Sequence, residues 1–250
     1  MIREEREGLP ILRFPSLEQA GGLIHGVSTR QGGVSTGPFH SLNLAGDQDQ
    51  PQAVAENRRR LARALGLDRL VSVRQVHGTR LVDAEEAGED TEADGLVTTR
   101  PGLGLLIKQA DCQAVILAAP GQGVVANLHV GWRGNVRNLP GLGVEHLHRH
   151  YRVEPSRLWA AISPSLGPCC AEFVNHRQEL PPEFARYRVA GDNFDLWQIT
   201  WDQLCQAGVR PERIETAGLC TRCDRRFFSY RREGRTGRFG TVVALAGREG

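Results

Sequence analysis

One cysteine and two histidines each follow an apolar run, at points where the chain is expected to turn. Cys112 lies between two runs rich in Val, Ile and Leu, His129 lies near the end of a third, and His77 follows an earlier one. Two imidazoles and a thiolate are a suitable ligand set for zinc, and three protein ligands leave a fourth position for water or substrate. A thiol beside an imidazole is equally the outline of a nucleophile and its base. The spacing therefore predicts either a metal site or a Cys–His hydrolase.

The runs that carry these residues are typical of buried β-strands. They are short, rich in branched apolar side chains, and bounded by Gly, Pro or polar residues. The same pattern predicts strands at 22–27, 70–76, 103–107, 114–119, 124–130, 158–162, 213–217 and 240–245. The intervening acidic segment 83–94 is predicted to be a solvated loop.

Three segments have the apolar periodicity of amphipathic helices. They are 51–65, which begins with Pro51, 139–151, and 196–207, for which Asp195 is the predicted N-cap. The strands do not alternate regularly with these helices, so a doubly wound parallel sheet is not expected. The prediction is an α+β fold, a single layered α/β domain over residues 1–250 with mixed β-sheets flanked by helices.

The composition of the chain excludes several classes of protein. An apolar fraction of 40% and a charged fraction of 24% are ordinary for a soluble globular protein. A net charge of +2 gives no reason to expect nucleic acid or a membrane as a partner, and no apolar run approaches the ~20 residues of a membrane span. The N-terminus lacks the apolar core of a signal peptide. Six cysteines in 250 residues indicate reduced thiols and a cytoplasmic location rather than a disulfide framework.

Four motifs carry a resemblance to a known family. RQVHG, ADGLVT, QADC and HVGWRG, in this order, resemble the YfiH-like family, long described as laccase-domain or multicopper polyphenol oxidases. Members have since been described as purine nucleoside phosphorylases that also deaminate adenosine. The resemblance extends to HGVSTRQGGVSTGPFHSLNLAGD and ENR in the N-terminal half, and to FDLWQITWDQLCQAGV and FFSYRREGRTGR in the C-terminal half. It therefore covers nearly the whole chain.

The resemblance implies a catalytic zinc held by the same three residues, His77, Cys112 and His129. Copper is the alternative metal. Two residues depart from the family pattern, because Gln109 precedes ADC where a small residue is usual, and Val130 precedes GWRG where Ala is preferred. Neither change removes a ligand, but either one is expected to alter the wall of the pocket.

Phosphorolysis, if the resemblance holds, requires a purine nucleoside and phosphate as substrates and a seat for the phosphate dianion. Guanidinium groups, hydroxyls and backbone N–H groups bind phosphate. The candidates for substrate binding are Ser41, Asn43, Arg58 and Arg133, together with Asp94, which is also placed to orient a ligand imidazole or to take a proton. For Asp111, beside the thiol, a supporting role is favoured. The sequence leaves monomer and homodimer equally open.

Three rival functions remain at this stage. A copper oxidase of the blue-copper type usually needs a weak axial methionine, and Met1 is the only methionine. A hydrolase built on Cys112 and His129 needs no metal. A non-enzymatic sensor of metal or nucleoside is the third.

Four further cysteines form two pairs in the sequence. Cys220 and Cys223 are spaced as CxxC, and Cys169 and Cys170 are adjacent. A lone CxxC without a second properly spaced pair is a weak zinc signal. Free thiols are therefore the expectation for these four.

Overall fold

The computed structural model describes residues 1–247, which form two six-stranded mixed sheets and a small two-stranded ribbon. The strands in chain order are β1 Ile2–Arg6, β2 Leu9–Arg13, β3 Leu23–Ser28, β4 Arg69–Val71, β5 Leu81–Asp83, β6 Gly95–Thr98, β7 Leu103–Gln109, β8 Gln113–Ala119, β9 Val124–Val130, β10 Trp159–Ile162, β11 Arg188–Ala190, β12 Asn193–Phe194, β13 Ile214–Thr216 and β14 Phe239–Leu245. The prediction of an α+β fold with mixed sheets is confirmed.

Helices lie around the two large sheets. They are α1 Pro15–Ala20, α2 Pro51–Ala64, α3 Trp132–Val136, α4 Leu139–Tyr151, α5 His176–Glu179, α6 Leu196–Gln206 and α7 Tyr230–Glu233. The three predicted amphipathic helices correspond to α2, α4 and α6. The predicted N-cap of α6 is present, because the Asp195 carboxylate accepts the Gln198 N–H at 3.0 Å. In the described residues no helix is long and apolar enough to cross a membrane.

The strand order explains how the core forms. The first sheet has the order β1-β2-β3-β14-β7-β4 and the second β13-β10-β8-β9-β6-β5. Apolar side chains from both sheets share one buried cluster; Leu105 and Phe239 come from the first, and Ile116 and Val125 from the second. The outer face of the second sheet packs against α4 and α6. The central strands are buried on both faces, which is why they read as continuous apolar runs.

The chain passes from the first sheet to the second through the tight turn at 110–112, between β7 and β8. In this turn Asp111 has a positive φ of 90°. Cys112 therefore lies just before β8, where the chain crosses between the sheets, next to the end of β9. This position is where the site forms.

Two expectations from the sequence are wrong in detail. The strand predicted over 70–76 ends at Val71, and residues 72–76 continue as an irregular segment that leads to His77. The acidic segment 83–94 is not simply solvated, because Ala84, Ala93 and Asp94 are fully buried. Both errors arise because the pairing partners, β7 for β4 and the segment near Arg74 for Glu92, are distant in sequence.

Candidate active site

Strand register brings three separated segments together at one end of the second sheet. β8 pairs with β9 so that Cys112, just before β8, meets Gly131, just after β9. β6 pairs with β9 on the side opposite β8, and the His129 N–H donates to the Asp94 carbonyl oxygen at 2.7 Å. Cys112, His129 and Asp94 are therefore neighbours in space.

The buried Asp94 carboxylate orients the other groups of the site. Its Oδ1 lies 2.8 Å from His129 Nδ1, which leaves Nε2 of that ring as the nitrogen free to bind. The same carboxylate accepts backbone N–H groups from Val76, His77 and Gly78 at 3.3, 2.9 and 2.6 Å. These bonds hold His77 at a positive φ of 57°, which few non-glycine residues adopt. One carboxylate thus positions both imidazoles.

Burial alone would raise the pKa of the Asp94 carboxyl. The hydrogen bond to His129, the positive charge of that ring and the backbone N–H groups of Gly78 and Val76 outweigh that penalty and lower the pKa below its usual value. Asp94 is therefore an anion, and it favours the His129 tautomer that carries its proton on Nδ1.

The three predicted metal ligands come together as expected from their types. The ligand atoms of His77, Cys112 and His129 all lie within 4.8 Å of one another, and Cys112 Sγ is 3.8 Å from His77 Nε2. Sulfur and nitrogen ligands of one tetrahedral zinc would be about 3.5 Å apart, given Zn–S and Zn–N bonds of about 2.3 and 2.0 Å. The first glycine of GWRG has a steric reason, since a Cβ on Gly131 would lie 3.0 Å from His77 Cδ2 and 3.1 Å from Cys112 Sγ.

The charges of the cluster suit a cation. Burial would raise the pKa of the Cys112 thiol, but His129 and His77 lower it to about 6. Burial would lower the pKa of His129, but the Cys112 thiolate and Asp94 raise it to about 9. A thiolate with an adjacent proton-bearing imidazole is the metal-free form of a site whose proton a metal ion displaces. The donor set therefore fits zinc.

A cavity of about 740 Å³ opens directly onto the cluster. Its apolar wall is aromatic, with Trp132, Phe173 and Tyr230, and the remaining apolar lining includes Leu166 and Leu196. Cavities of about 300–1,000 Å³ with apolar walls and a few polar groups are typical of small-molecule sites. Aromatic rings of this kind offer flat surfaces on which a planar heterocycle stacks.

The cavity lining also carries charged side chains. Its cations are Arg74, Lys108, Arg231 and Arg238, and its acidic residues are Asp47, Glu89, Asp90 and Asp111. The Lys108 side chain is only 12% exposed and lies 3.2 Å from Glu89. Burial lowers the pKa of Lys108, and the negative charge of Glu89 opposes that effect.

Within residues 1–247 the cavity lining does not include the predicted substrate-binding residues Ser41, Asn43, Arg58, Arg133 and Asp94. Ser41 and Asn43 lie in the loop beside the cavity, and Arg58 lies on α2. Ser41 accepts the Gly33 N–H at 2.7 Å, Asn43 accepts the Arg238 N–H at 2.8 Å, and Arg58 forms a two-pronged pair with Glu89 at 2.7 and 3.1 Å.

Arg133 takes a different position. It is exposed, and its guanidinium carbon lies 4.2 Å from the centre of the Trp132 ring. It therefore stacks on a residue of the cavity wall, and its link to the cavity runs through that ring.

The Asp111 side chain connects the turn that carries Cys112 to the segment 221–231. Its carboxylate accepts the Thr221 hydroxyl at 2.7 Å and the Arg231 N–H at 2.6 Å. Gln109, one of the departures from the family pattern, lines the cavity and donates to the Ser163 hydroxyl at 2.6 Å. Val130, the other departure, also lines it.

Sequence reasoning missed the cations of the cavity. Lys108 had a usable signal, because it is a charged residue inside the apolar run LGLLIKQ that precedes ADC. Arg231 and Arg238 lie in the arginine-rich segment FFSYRREGRTGR. The sequence does not show which of these side chains face the cavity. Only the packing of this segment against Asp111 and Asn43 shows that it faces the cavity.

Comparison with known proteins agrees with this geometry. The family described as multi-copper polyphenol oxidoreductase laccase matches residues 24–246. A purine nucleoside phosphorylase of Deinococcus radiodurans is 38% identical, over 97% of this chain and 96% of that protein. The crystal structure of YlmD from Geobacillus stearothermophilus has a TM-score of 0.85 at 32% identity and covers 96% of both chains. That of the hypothetical protein YfiH from Bacillus licheniformis has a TM-score of 0.85 at 28% identity, over 97% of both.

Proposed function

This chain belongs to the multi-copper polyphenol oxidoreductase laccase family, and we propose that it is a purine nucleoside phosphorylase. The observation that carries the proposal is one cavity that joins a three-donor cluster, an aromatic wall and several cations. In the reaction, a phosphate oxygen forms a bond to ribose C1′ while the bond from C1′ to the purine nitrogen breaks. The products are the free base and ribose 1-phosphate.

The aromatic wall is the proposed seat of the purine. Trp132 and Phe173 meet edge to face, with ring centres 6.1 Å apart, and both are partly or fully buried. Tyr230 is 62% exposed at the mouth of the cavity. We propose that the base stacks between the buried pair and Tyr230, which would shield the ribose from solvent.

The cations that line the cavity form the proposed binding site of the phosphate. The structure leaves part of each guanidinium available, because the Arg238 contacts involve Nη1, as do the side-chain contacts of Arg231. Lys108 adds a third charge from the neighbouring strand β7. In this proposal Asn43 and Arg58 act through Arg238 and Glu89, and Ser41 braces their loop. Arg133 would act through Trp132.

The three-donor cluster would hold zinc through His77, Cys112 and His129. When bound, such an ion supplies a Lewis acid that polarises a substrate oxygen. Asp94 keeps His129 in the tautomer whose Nε2 faces the site. A blue-copper centre would need an axial ligand such as methionine, and Met1 packs against the core between the two sheets. Zinc is therefore proposed ahead of copper.

We propose adenosine deamination as a second activity of the same cavity. The supporting observation is that the three-donor cluster lines the same cavity as the aromatic residues. A metal held by three protein ligands would have a fourth position for water. The reaction adds water to C6 of adenosine and releases ammonia, which leaves inosine. It needs no phosphate, so the two activities separate by phosphate dependence. None of the six cysteines is paired in a disulfide in the structure, which fits the proposed cytoplasmic location.

The test is release of free base from adenosine and inosine, with and without phosphate, alongside detection of ribose 1-phosphate and ammonia. Arg238→Ala should raise the KM for phosphate by about 10- to 100-fold, since one charge-assisted hydrogen bond is worth about 1.5–3 kcal/mol. Arg235→Ala is the matched control, because Arg235 comes from the same loop and stacks on Phe39.

Arg133→Ala distinguishes the two possible seats for the phosphate. We expect this substitution to raise the KM for the nucleoside, through Trp132, more than the KM for phosphate. A larger phosphate effect in Arg133→Ala than in Arg238→Ala would return the role to Arg133. Absence of base release from the wild type at every phosphate concentration would refute the phosphorylase proposal.

A further inference from the structure

Four cysteines meet behind the wall of the cavity. Cys169 and Cys170 follow β10, and Cys220 and Cys223 follow β13. Their Sγ atoms all lie within 4.8 Å of one another. We propose that these four thiolates hold a second zinc ion, a structural one, distinct from the cluster of His77, Cys112 and His129. The proposal is independent of the reaction catalysed.

The sulfur spacing is that of a metal site. Cys223 Sγ lies 3.5 Å from Cys170 Sγ and 3.7 Å from Cys169 Sγ. Four thiolates around one zinc, with bonds of about 2.3 Å, would place their sulfur atoms about 3.8 Å apart. Four donors fill the tetrahedron, so this site has no open position. The sequence showed only a lone CxxC, and the fold supplies the missing second pair.

Polar hydrogens point at the sulfur atoms, as they do around bound thiolates. The Gly167 N–H donates to Cys220 Sγ at 3.3 Å, and Arg222 Nη1 lies 3.6 Å from Cys170 Sγ. A zinc ion with four thiolates carries two negative charges, which the arginine partly balances. Apolar residues of a buried cluster that includes Cys170 surround the inner side, among them Leu166 and Phe173.

The position of the cluster indicates what the ion would do. Arg231 donates to the carbonyl oxygens of Cys170 and Glu172, both at 3.1 Å, and Thr221 donates to the Asp111 carboxylate at 2.7 Å. The cluster thus joins two segments, 166–173 and 220–231, that both contribute to the cavity wall. A metal there would pin these segments and hold Asp111, beside the ligand Cys112, in place.

The first experiment counts zinc in Cys112→Ala protein made with zinc present and purified under reducing conditions without chelator. Removal of Cys112 disables the open site, so the zinc that remains belongs elsewhere. We expect about one zinc per chain, with X-ray absorption showing four sulfur neighbours at about 2.3 Å and no nitrogen. A nitrogen-containing shell would overturn the proposal.

The second experiment removes a ligand of the proposed site. Cys112→Ala/Cys223→Ser should lose the remaining zinc, whereas the control Cys112→Ala/Cys205→Ser should keep it, because Cys205 lies on α6 outside both clusters. If the serine variant does not fold, Cys112→Ala/Cys223→His should fold and show three sulfur neighbours and one nitrogen.

Two results would refute the site. One is a zinc-free, folded Cys112→Ala protein whose thiols are all free by titration. The other is a zinc-free protein whose mass shows disulfides among the four cysteines before reduction.

Discussion

The two sulfur-containing clusters of this protein differ in their number of donor atoms and in their surroundings. The cluster of His77, Cys112 and His129 has three donors and faces a cavity of about 740 Å³. The four-cysteine cluster has four donors, and its inner side lies against an apolar core. A metal in the first keeps a free position for substrate, and a metal in the second does not. We therefore propose a catalytic role for the first cluster and a structural role for the second.

The clusters also differ in how their charge is balanced. At the first, the imidazoles of His129 and His77 stabilise the thiolate and lower the pKa of Cys112 to about 6 despite burial. At the second, burial and the neighbouring thiols raise the pKa of Cys169, while backbone N–H groups lower that of Cys220 despite burial. Four thiolates this close together would repel one another unless a cation is present. The second cluster thus depends more strongly on a metal.

The largest effect should follow from Cys112→Ala. We expect kcat to fall by at least about 100-fold, since loss of groups that merely support metal ligands already costs 10- to 100-fold. The midpoint of thermal unfolding should change by no more than a few degrees, because the cluster lies at a cavity. Base release and differential scanning calorimetry measure the two quantities. A large loss of stability with retained activity would reverse the roles assigned to the two clusters.

Stripping the four-cysteine cluster should have the complementary effect. In Cys112→Ala protein, a strong chelator under reducing conditions should lower the unfolding midpoint by about 10 °C. This corresponds to a loss of about 3 kcal/mol in a chain of this size. Calorimetry before and after zinc is restored measures the shift, and unchanged melting would show that the cluster contributes no stability.

Asp94→Asn tests the carboxylate that distinguishes the open site. The amide nitrogen would replace one carboxylate oxygen and cannot accept the N–H groups bound there, which are those of Val76 and Gly78 at one oxygen and those of His77 and His129 at the other. The imidazoles therefore lose part of their orientation. We expect metal affinity and activity to fall by about 10- to 100-fold. Competition with a metal-binding dye gives the affinity, and Asp68→Asn, at an exposed position, is the control. Equal affinities in the two variants would refute the orienting role.

The smallest effect concerns His25, a buried histidine outside both clusters. Its Nε2 accepts the Phe14 N–H at 2.9 Å, so it has no proton there to offer Glu18. Burial, aided by the positive charge of Arg13, lowers its pKa to about 4.

The unfolded chain takes up this proton near pH 6.5, before the folded protein does. The free energy of unfolding should therefore decrease as pH falls, by about 1 kcal/mol between pH 7 and 5.5. His25→Gln keeps an acceptor for Phe14 but does not titrate. Urea unfolding at several pH values measures the free energy of unfolding. Only the wild type should show this additional decrease as pH falls. Identical slopes would exclude His25 as its source.

The local pattern of the sequence predicted the helices and strands better than it predicted which residues line the cavity. The helices α2, α4 and α6 and the central strands β7, β8 and β9 were predictable, because periodicity and burial on both faces are properties of contiguous residues. The short strands β1, β2, β5 and β6 were not predicted. β1 in particular reads IREER, and its pairing with β2, rather than its own composition, makes it a strand.

For the site, the sequence alone named the three donors and Asp94, because their residue types restrict the chemistry. Tertiary structure decided which cations face the cavity, turning Lys108, Arg231 and Arg238 inward and placing Arg133 on the outer side of Trp132. It also brought Cys169 and Cys170 to Cys220 and Cys223 across about fifty residues of chain. The physical reason is that side-chain type is a local property, whereas direction and proximity depend on strand register and packing between distant segments.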